Sequence, residues 1–247
     1  MGGGVRTGII SDVHGNEAAL DAVLRALHAR AVDRILSLGD IVGYGGDPEA
    51  CVARVRTVVA ESTLGNHDAA AAGVVKFEAV SAEGEVLLRQ ARESLSQDSL
   101  AWLRKRPFVH DEGGVRYCHG DPLIPEAFRY VLTVEQATEL TPYWSELPAL
   151  SFIGHSHVER SFRLWPNGAA EVLSTRLRLD GRHKYVVNVG SVGQPRDRDP
   201  RAAAAIYDDE KRTVTFLRVE YDVAHAAARI RRAGLPEFFA SRIFRGL

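Results

Sequence analysis

Ser11-Asp12-Val13-His14-Gly15-Asn16 is the stretch from which the fold of this chain can be worked out. The apolar residues 5–10 before it form a run short enough for a buried strand, and apolar residues at helical spacing follow it. Asp12 and His14 are two positions apart at the end of that strand, so in an extended backbone their side chains point the same way. A carboxylate and an imidazole that face one point make half of a metal site, although such a triplet by itself is more often a solvated loop.

The succession of strand, polar motif and helix occurs twice more in the first third of the chain. Residues 34–38 read as a second strand that ends at Gly39-Asp40, and residues 61–64 as a third that ends at Gly65-Asn66-His67-Asp68. Between them, Asp47-Pro48 has the residue types of a helix N-cap and first helical position. Three such units favour a parallel sheet with crossover helices.

The second half of the chain adds strands that end in histidines. Residues 115–118 follow the hairpin signal Gly113-Gly114 and run into His119, and residues 150–153 end at Gly154-His155-Ser156-His157. The strands after these form further hairpins, which we expect to make a second sheet that buries itself against the first. Because the second sheet can be buried only in this way, we predict a single domain over residues 1–247.

Two other stretches carry expectations about packing. Residues 69–106 have a mostly helical pattern, and Val86 and Leu87 are among the apolar positions expected in the core. The aromatic and basic tail from Leu235 to Phe244 is expected to pack over its own sheet, with the pairing of two subunits as the alternative. The oligomeric state is left open by the sequence.

The composition is that of an ordinary globular protein and excludes several classes of function. The 247 residues include 45% hydrophobic and 26% charged ones, and the net charge is −1. This balance provides no field that would recruit nucleic acid or an acidic membrane, so no stable nucleic-acid complex is expected. No run reaches the roughly 18 apolar residues of a membrane span, and two cysteines do not make a disulfide framework. The first six residues also lack a signal-peptide core, so we expect a soluble cytoplasmic protein.

Five predicted strands thus end in groups that can bind a metal, and five of the nine histidines lie there. Such strand ends line a common crevice in open α/β sheets, which is the usual place for a site. Imidazole, carboxylate and amide ligands together suit two divalent transition-metal ions. We expect manganese, with iron, zinc, cobalt or nickel as alternatives. A shared carboxylate would hold the two ions roughly 3.5–4 Å apart.

The blocks Asp12-x-His14, Gly39-Asp40, Gly65-Asn66-His67-Asp68, His119 and Gly154-His155-Ser156-His157 resemble the five sequence blocks of the calcineurin-like metallophosphoesterase family. Together with the elements between them, these blocks span most of the chain. The resemblance implies an α/β fold in which two mixed sheets, flanked by helices, form a four-layer αββα sandwich. It also implies a dinuclear metal site at the carboxyl ends of the strands.

The resemblance further implies a role for each residue of these blocks. One metal would be held by Asp12, His14 and His157, and the other by Asn66, His119 and His155. Asp40 would bridge the two metals. His67 would lie beside the substrate phosphate with Asn66 next to it, and Asp68 would orient the His67 ring.

Departures from the family pattern narrow the subclass. Protein phosphatases and symmetrical diadenosine tetraphosphate hydrolases of this family have arginines after the second block and before the third. This sequence has Val42-Gly43-Tyr44 and Leu64 in those places. Its late segment Gly190-Ser-Val-Gly-Gln-Pro-Arg196 resembles the small prokaryotic phosphodiesterase branch instead. Arg196 there either grips a phosphate or nucleotide or is a surface arginine.

We therefore expect a metal-dependent phosphodiesterase that acts on small nucleotides or related diesters through a metal-bridging hydroxide, with His67 as the catalytic acid. The alternatives are a phosphomonoesterase, a dinucleoside polyphosphate hydrolase and a non-catalytic binding scaffold of the same fold. A scaffold would be expected to have lost His67 or several ligands. Five aromatic residues either stack on a nucleobase or belong to local core, namely Tyr44, Phe128, Tyr130, Tyr143 and Trp144.

Overall fold

The computed structural model describes residues 4–75 and 82–247, and its centre is a pair of six-stranded β-sheets. The strands of the described residues are β1 (Arg6–Ile10), β2 (Arg34–Ser37), β3 (Glu61–Ser62), β4 (Val109–Glu112), β5 (Val115–Cys118), β6 (Leu150–Ile153), β7 (Glu159–Trp165), β8 (Gly168–Glu171), β9 (Arg176–Arg178), β10 (Lys184–Val189), β11 (Ala202–Asp208) and β12 (Thr213–Val219). The helices of the same residues are α1 (Glu17–His28), α2 (Pro48–Val58), α3 (Asn66–Ala71), α4 (Ala82–Glu93), α5 (Gln97–Arg104), α6 (Val134–Thr138), α7 (Val223–Arg232) and α8 (Glu237–Arg242). Two short 3-10 turns, Pro125–Ala127 and Thr141–Tyr143, flank α6.

The first sheet has the strand order β3-β2-β1-β11-β12-β9 and the second has the order β4-β5-β6-β10-β7-β8. The pairing of β1 with β2 and of β2 with β3 is parallel, which confirms the prediction from the three strand-and-helix units. The prediction that the late strands form the second sheet by themselves was wrong. Strands β9, β11 and β12 extend the first sheet, because β11 pairs antiparallel with β1 at the edge that the crossover helices leave open.

Three apolar clusters give the protein its layers. The cluster between the sheets takes residues from both of them, among them Leu36, Phe152 and Val187. A second cluster packs α1, α2 and α5 on the outer face of the first sheet, and a third packs α6 on the outer face of the second. Helices therefore cover both outer faces, and the expected αββα order of layers is confirmed.

Local sequence signals place the helix ends. The side chain of Asn16 caps α1 by accepting a hydrogen bond of 3.1 Å from the Ala19 amide. Thr133 and Gln136 form the predicted capping box at the start of α6. Asp47 precedes α2, but its carboxylate makes an ion pair with Arg229 of α7 and leaves the helix end uncapped.

The expectations for residues 69–106 are met only in part. Helices α3, α4 and α5 cover much of this stretch, and residues 76–81 lie outside the described part of the chain. Val86 was wrongly expected in the core, since its side chain is 56% exposed. The next residue, Leu87, was also expected in the core and is buried there against α7 and α8, which confirms that prediction.

The tail of the chain packs on α4 and α7 rather than on a sheet. Phe239 of α8 is buried, and its ring stacks on Tyr44 with 5.4 Å between centroids. The expectation that the tail covers its own sheet was therefore wrong. Among the helices of residues 4–75 and 82–247, none combines the length and the apolar character needed to cross a bilayer.

Candidate metal centre

The five predicted blocks come together at one place between the two sheets. Asp12, His14, Asp40 and α3 follow strands of the first sheet, whereas His119, His155 and His157 follow β5 and β6 of the second. The crevice thus lies where strands of both sheets end, in agreement with the expected sandwich of two sheets. Six candidate ligands are buried, and Asn66 is half-buried.

The backbone at this place is held in an unusual conformation. Among the described non-glycine residues, nine have positive φ, and five of these are candidate ligands, namely Asp12 (φ 54°), His14 (φ 49°), Asp40 (φ 52°), His155 (φ 67°) and His157 (φ 59°). Such a conformation costs roughly 1–2 kcal/mol per residue and persists only where the surroundings enforce it. Main-chain hydrogen bonds do so here, with Asp12 donating to Gly39 at 3.0 Å and His14 to Asp40 at 2.9 Å.

Three of the histidine rings are oriented by main-chain oxygens. The Nδ1 atoms of these rings lie within hydrogen-bond distance of carbonyl groups: His14 of Val42 at 3.0 Å, His119 of Leu38 at 2.9 Å and His157 of Gln194 at 2.6 Å. A carbonyl oxygen can only accept, so Nδ1 is the protonated nitrogen of each ring. In the uncharged form of each ring the lone pair is then on Nε2, which faces the centre, as in histidines that bind metals.

The first predicted ligand set forms a compact group. The Nε2 atoms of His14 and His157 are 3.0 Å apart, and Asp12 Oδ1 lies 3.6 Å from the former and 3.2 Å from the latter. Two lone pairs cannot form a hydrogen bond with each other, and Asp12 Oδ1 has no hydrogen-bond partner. A cation would satisfy all three atoms, so this donor set fits a divalent metal.

Asp40 connects this group to the second set. Its Oδ2 atom lies 3.1 Å from His119 Nε2 and 3.8 Å from His14 Nε2, and it has no hydrogen-bond partner. His119, His155 and Asp40 offer ligand atoms within 4.8 Å of one another, and so do His14, Asp40 and His67. The buried Oδ1 atom of Asn66 is likewise without a partner. Asp40 is thus within reach of ligand atoms of both sets, and Asp12 Oδ1 likewise lies 3.8 Å from His119 Nε2.

The carboxylates of the centre are held in the ionised form. Burial acts to raise the pKa of Asp12, but His157 and His119 more than offset it and leave that pKa well below its ordinary value. The pKa of Asp40 is lowered in the same way, since the effect of burial is outweighed by His119 and His67. Ionised carboxylates are the form that binds metals.

The histidines of the centre differ in protonation. Burial lowers the pKa of His67 and His155 to about 3 and that of His157 to about 4, so these rings are uncharged at neutral pH. Burial also acts to lower the pKa of His119, but Asp40 and the other nearby carboxylates raise it to about 9. The second ligand set therefore carries a proton that a cation would have to displace.

His67 is not oriented in the way that was predicted. Its amide donates to Asp40 Oδ1 at 2.8 Å, while its Nδ1 atom has no hydrogen-bond partner. Asp68 accepts instead from the Val42 amide at 3.0 Å, so the predicted pairing of Asp68 with the His67 ring was wrong. A Cβ atom on Gly43 would lie 3.0 Å from His67 Nδ1 and 2.5 Å from His14 Nδ1, which shows how closely this backbone packs on both rings.

Aromatic side chains surround the centre. The Tyr44 ring lies 4.6 Å from that of His14, and Tyr130 stacks on His155 with 4.1 Å between centroids. Phe128 is 6.1 Å from His119. The other two aromatic candidates are elsewhere: Tyr143 lines a neighbouring groove, and Trp144 lies under Lys184.

Arg196 reaches the same place from the second sheet. Its amide donates to the His157 carbonyl at 3.0 Å, and its guanidinium lies 5.5 Å from the centre of the Tyr44 ring. The Nε atom of Arg196 is buried without a hydrogen-bond partner. These contacts place a cationic side chain beside the candidate ligands.

The structure adds a role for the segment 190–196 that sequence analysis missed. Gly193 donates to the Asp12 carbonyl at 2.9 Å, the Ser191 hydroxyl donates to the same oxygen at 2.8 Å, and Asn16 donates to the Gly193 carbonyl at 2.9 Å. The segment therefore holds the first block in position. The run of small residues was the signal that could have indicated it, because only small residues allow this close approach.

The comparison with known proteins agrees with this geometry. The sequence profile of the calcineurin-like phosphoesterase superfamily domain matches residues 5–212. The chain belongs to this superfamily. Enzymes of the superfamily are generally hydrolases that use divalent metals, and the donor set described above fits such metals.

Individual relatives extend the likeness to nearly the whole chain. An uncharacterized protein of Methanocaldococcus jannaschii is 33% identical over 242 residues, covering 96% of this chain and 97% of that protein. The crystal structure of a metallophosphoesterase from Sphaerobacter thermophilus is 36% identical with a TM-score of 0.84, covering 98% of this chain and 99% of that chain. A symmetrical bis(5′-nucleosyl)-tetraphosphatase of Methylococcus capsulatus is 36% identical over 138 residues, covering 53% of this chain and 48% of that enzyme.

Proposed function

We propose that this protein is a metal-dependent phosphodiesterase that acts on small nucleotides or related diesters. The observation that carries the proposal is the pair of Nε2 atoms of His14 and His157, 3.0 Å apart beside the unpartnered Oδ1 atom of Asp12. Three buried lone-pair donors that face one another have no structural use without a cation. Asp40, shared with the second group, supports a centre for two cations rather than one.

The residues that would hold the two metals are those of the two groups. Asp12, His14 and His157 would hold one, Asn66, His119 and His155 would hold the other, and Asp40 would contact both. Manganese is the metal proposed first, because the set mixes imidazole with carboxylate and amide oxygens. Bound divalent ions supply Lewis acidity toward phosphoryl oxygens and lower the pKa of water.

The side chains around the centre would bind and orient the phosphate. Arg196 offers a guanidinium that pairs with no aspartate or glutamate in the described ranges 4–75 and 82–247, so it is available to a phosphate oxygen. His67 is proposed to donate a proton to the leaving oxygen. Its pKa of about 3 is lowered by burial, and a phosphate anion beside the ring would raise it again.

The charge of the site favours a diester over a monoester. The arginines that protein phosphatases and symmetrical diadenosine tetraphosphate hydrolases of the family have after the second block and before the third are replaced by Val42-Gly43-Tyr44 and Leu64. Fewer cationic groups are thus available to neutralise a dianionic monoester, whereas a diester carries only one negative charge. A dinucleoside polyphosphate is the second candidate substrate, supported by the 36% identity to the tetraphosphatase over about half of each chain.

An activity panel with manganese tests the proposal. The panel contains bis(4-nitrophenyl) phosphate, 4-nitrophenyl phosphate, cyclic nucleotides and diadenosine tetraphosphate. We expect hydrolysis of diesters that is lost in an Asp12→Asn variant purified in parallel, which controls for contaminating enzymes. Wild-type protein that binds manganese but hydrolyses none of these compounds would favour the non-catalytic scaffold instead.

A further inference from the structure

A groove of about 670 Å³ opens beside the candidate metal centre, and Tyr130 belongs to both. The Tyr130 ring lies on that of His155, with 4.1 Å between centroids and 12° between planes, and Tyr130 also lines the groove. His155 is a proposed ligand, so a substrate whose phosphate is at the metals would have its next group at the mouth of this groove. The groove is large enough for a small organic group.

The walls of the groove gather apolar side chains that the fold leaves exposed. Ile124, Tyr130 and Tyr143 are 42%, 48% and 52% exposed, and all three line the groove. The buried Leu140 completes this surface. Exposed aromatic and aliphatic side chains that converge on a concave surface mark a ligand site, and tyrosine rings provide flat faces for a planar ligand.

The charge of the groove argues against a phosphate as its occupant. The single guanidinium of the lining, that of Arg129, is 2.7 Å from Asp121 and is neutralised by it. Glu139 and Glu146 also line the groove, and no lysine or arginine in the described part of the chain pairs with them. Carboxylates repel anions and accept hydrogen bonds, so they suit a neutral ligand that has hydroxyl or amino groups.

We propose that this groove binds the nucleoside part of a nucleotide substrate. The base lies against Tyr130 and Tyr143, and the donors of the ribose or base face Glu139 and Glu146. The phosphate stays at the metal centre, beside Arg196. This inference rests on the proposed function, because it names the group attached to the phosphate that the metals hold.

Binding measurements test the groove without reference to catalysis. Calorimetry with manganese-loaded protein compares adenosine 5′-monophosphate with ribose 5-phosphate, which lacks the base. We expect the nucleotide to bind about tenfold more tightly, as for one base stacked on aromatic side chains. Tyr143→Ala should bring the two affinities to within about threefold of each other, and the control Trp165→Ala, an exposed aromatic on β7, should keep the difference. Equal affinities in the wild type would overturn the proposal.

A charge reversal tests the orientation of the ligand. Glu146→Lys should weaken nucleotide binding or leave it unchanged if a nucleoside occupies the groove. Tighter binding of ribose 5-phosphate by this variant would place a phosphate there and would overturn the proposal. Since Glu146 is on the surface, the variant is expected to fold, which its melting curve would verify.

Two substrates with the same leaving group connect the groove to catalysis. Thymidine 5′-(4-nitrophenyl phosphate) and methyl 4-nitrophenyl phosphate differ only in the nucleoside. We expect Tyr143→Ala to lower kcat/KM about tenfold for the first and less than twofold for the second. If neither compound is hydrolysed but Tyr143 still determines nucleotide binding, the proposed function fails and the groove assignment stands. If both are hydrolysed and Tyr143→Ala affects them equally, the groove assignment fails alone.

Discussion

The Nε2 atoms of His14 and His157 face each other at 3.0 Å, although the two residues are 143 positions apart in the chain. Each ring directs its Nδ1 proton to a main-chain carbonyl, so that two lone pairs meet in a buried space. Such an arrangement is unfavourable by itself, and a cation between the rings would remove the repulsion. The effect of metals on the protein should therefore be large and measurable.

The metal content should depend on Asp40. Protein purified without chelators is expected to hold close to two transition-metal ions per chain, because Asp40 Oδ2 lies within reach of both ligand groups. Asp40→Asn should lose at least one ion and nearly all activity. Asp121→Asn serves as the control. It changes a buried carboxylate two positions after His119 and should keep both metal ions. Elemental analysis that finds full occupancy in Asp40→Asn would remove this residue from the metal ligands.

Metal removal should lower thermal stability. Free manganese at a hundred times its dissociation constant stabilises the folded state by about 2.7 kcal/mol. In a domain of this size that corresponds to a rise in Tm of roughly 5–10 °C over chelated protein. His157→Ala should lose most of this rise, since one of the two opposed nitrogen atoms is gone. Calorimetry that shows the same rise in His157→Ala would contradict the assignment of His157.

Gly43 should be intolerant of a side chain because of its neighbours. Its φ is +137°, and a Cβ atom there would meet His14 Nδ1 at 2.5 Å and His67 Nδ1 at 3.0 Å. Gly113 also has positive φ, at +59°, but has nothing within 4 Å of the corresponding position. Gly113→Ala should lose roughly 1–2 kcal/mol of stability through left-handed backbone strain, and Gly43→Ala should lose more, because its φ lies outside the left-handed helical region. Only Gly43→Ala should in addition lose metal and activity, and equal metal content in both would show that the rings can move aside.

Diesters should be better substrates than monoesters. Tyr44 and its neighbours stand where related enzymes have the first of two arginines, so the site has fewer cationic side chains to neutralise a dianionic monoester. We expect kcat/KM for bis(4-nitrophenyl) phosphate to exceed that for 4-nitrophenyl phosphate. The opposite order would support the monoesterase alternative.

The contribution of His67 should depend on the leaving group. A positioned general acid contributes about 10²–10⁴-fold in rate, and nitrophenolate leaves without a proton whereas a ribose alkoxide does not. His67→Ala should therefore keep both metals, lose little activity on nitrophenyl esters and lose far more on a nucleotide diester. Equal losses would indicate stabilisation of charge on the phosphoryl oxygens. Loss of metal in His67→Ala would show that His67 is a metal ligand, which its position near His14 and Asp40 would allow.

Much of the architecture could be predicted because it is encoded locally. The parallel order of β1 to β3 followed from strand and helix patterns, and the Thr133 capping box from four residues. The sheet to which β11 belongs could not be predicted, because its pairing with β1 joins residues about two hundred positions apart. The orientation of Asp68 depends on where the Val42 amide lies, which adjacency to His67 does not reveal.

The division of the candidate ligands between two sheets ties the metals to the order of folding. Asp12 accepts a hydrogen bond of 3.0 Å from the His155 amide, and both belong to loops that meet only when the sheets are docked. Contacts of such long range form late, since the chain must close large loops first. A chain that is still being synthesised thus lacks the complete site until β6 has joined its partner. Once bound, the metals would tie the two sheets together, so that separating the sheets would also require breaking bonds between metal and ligands.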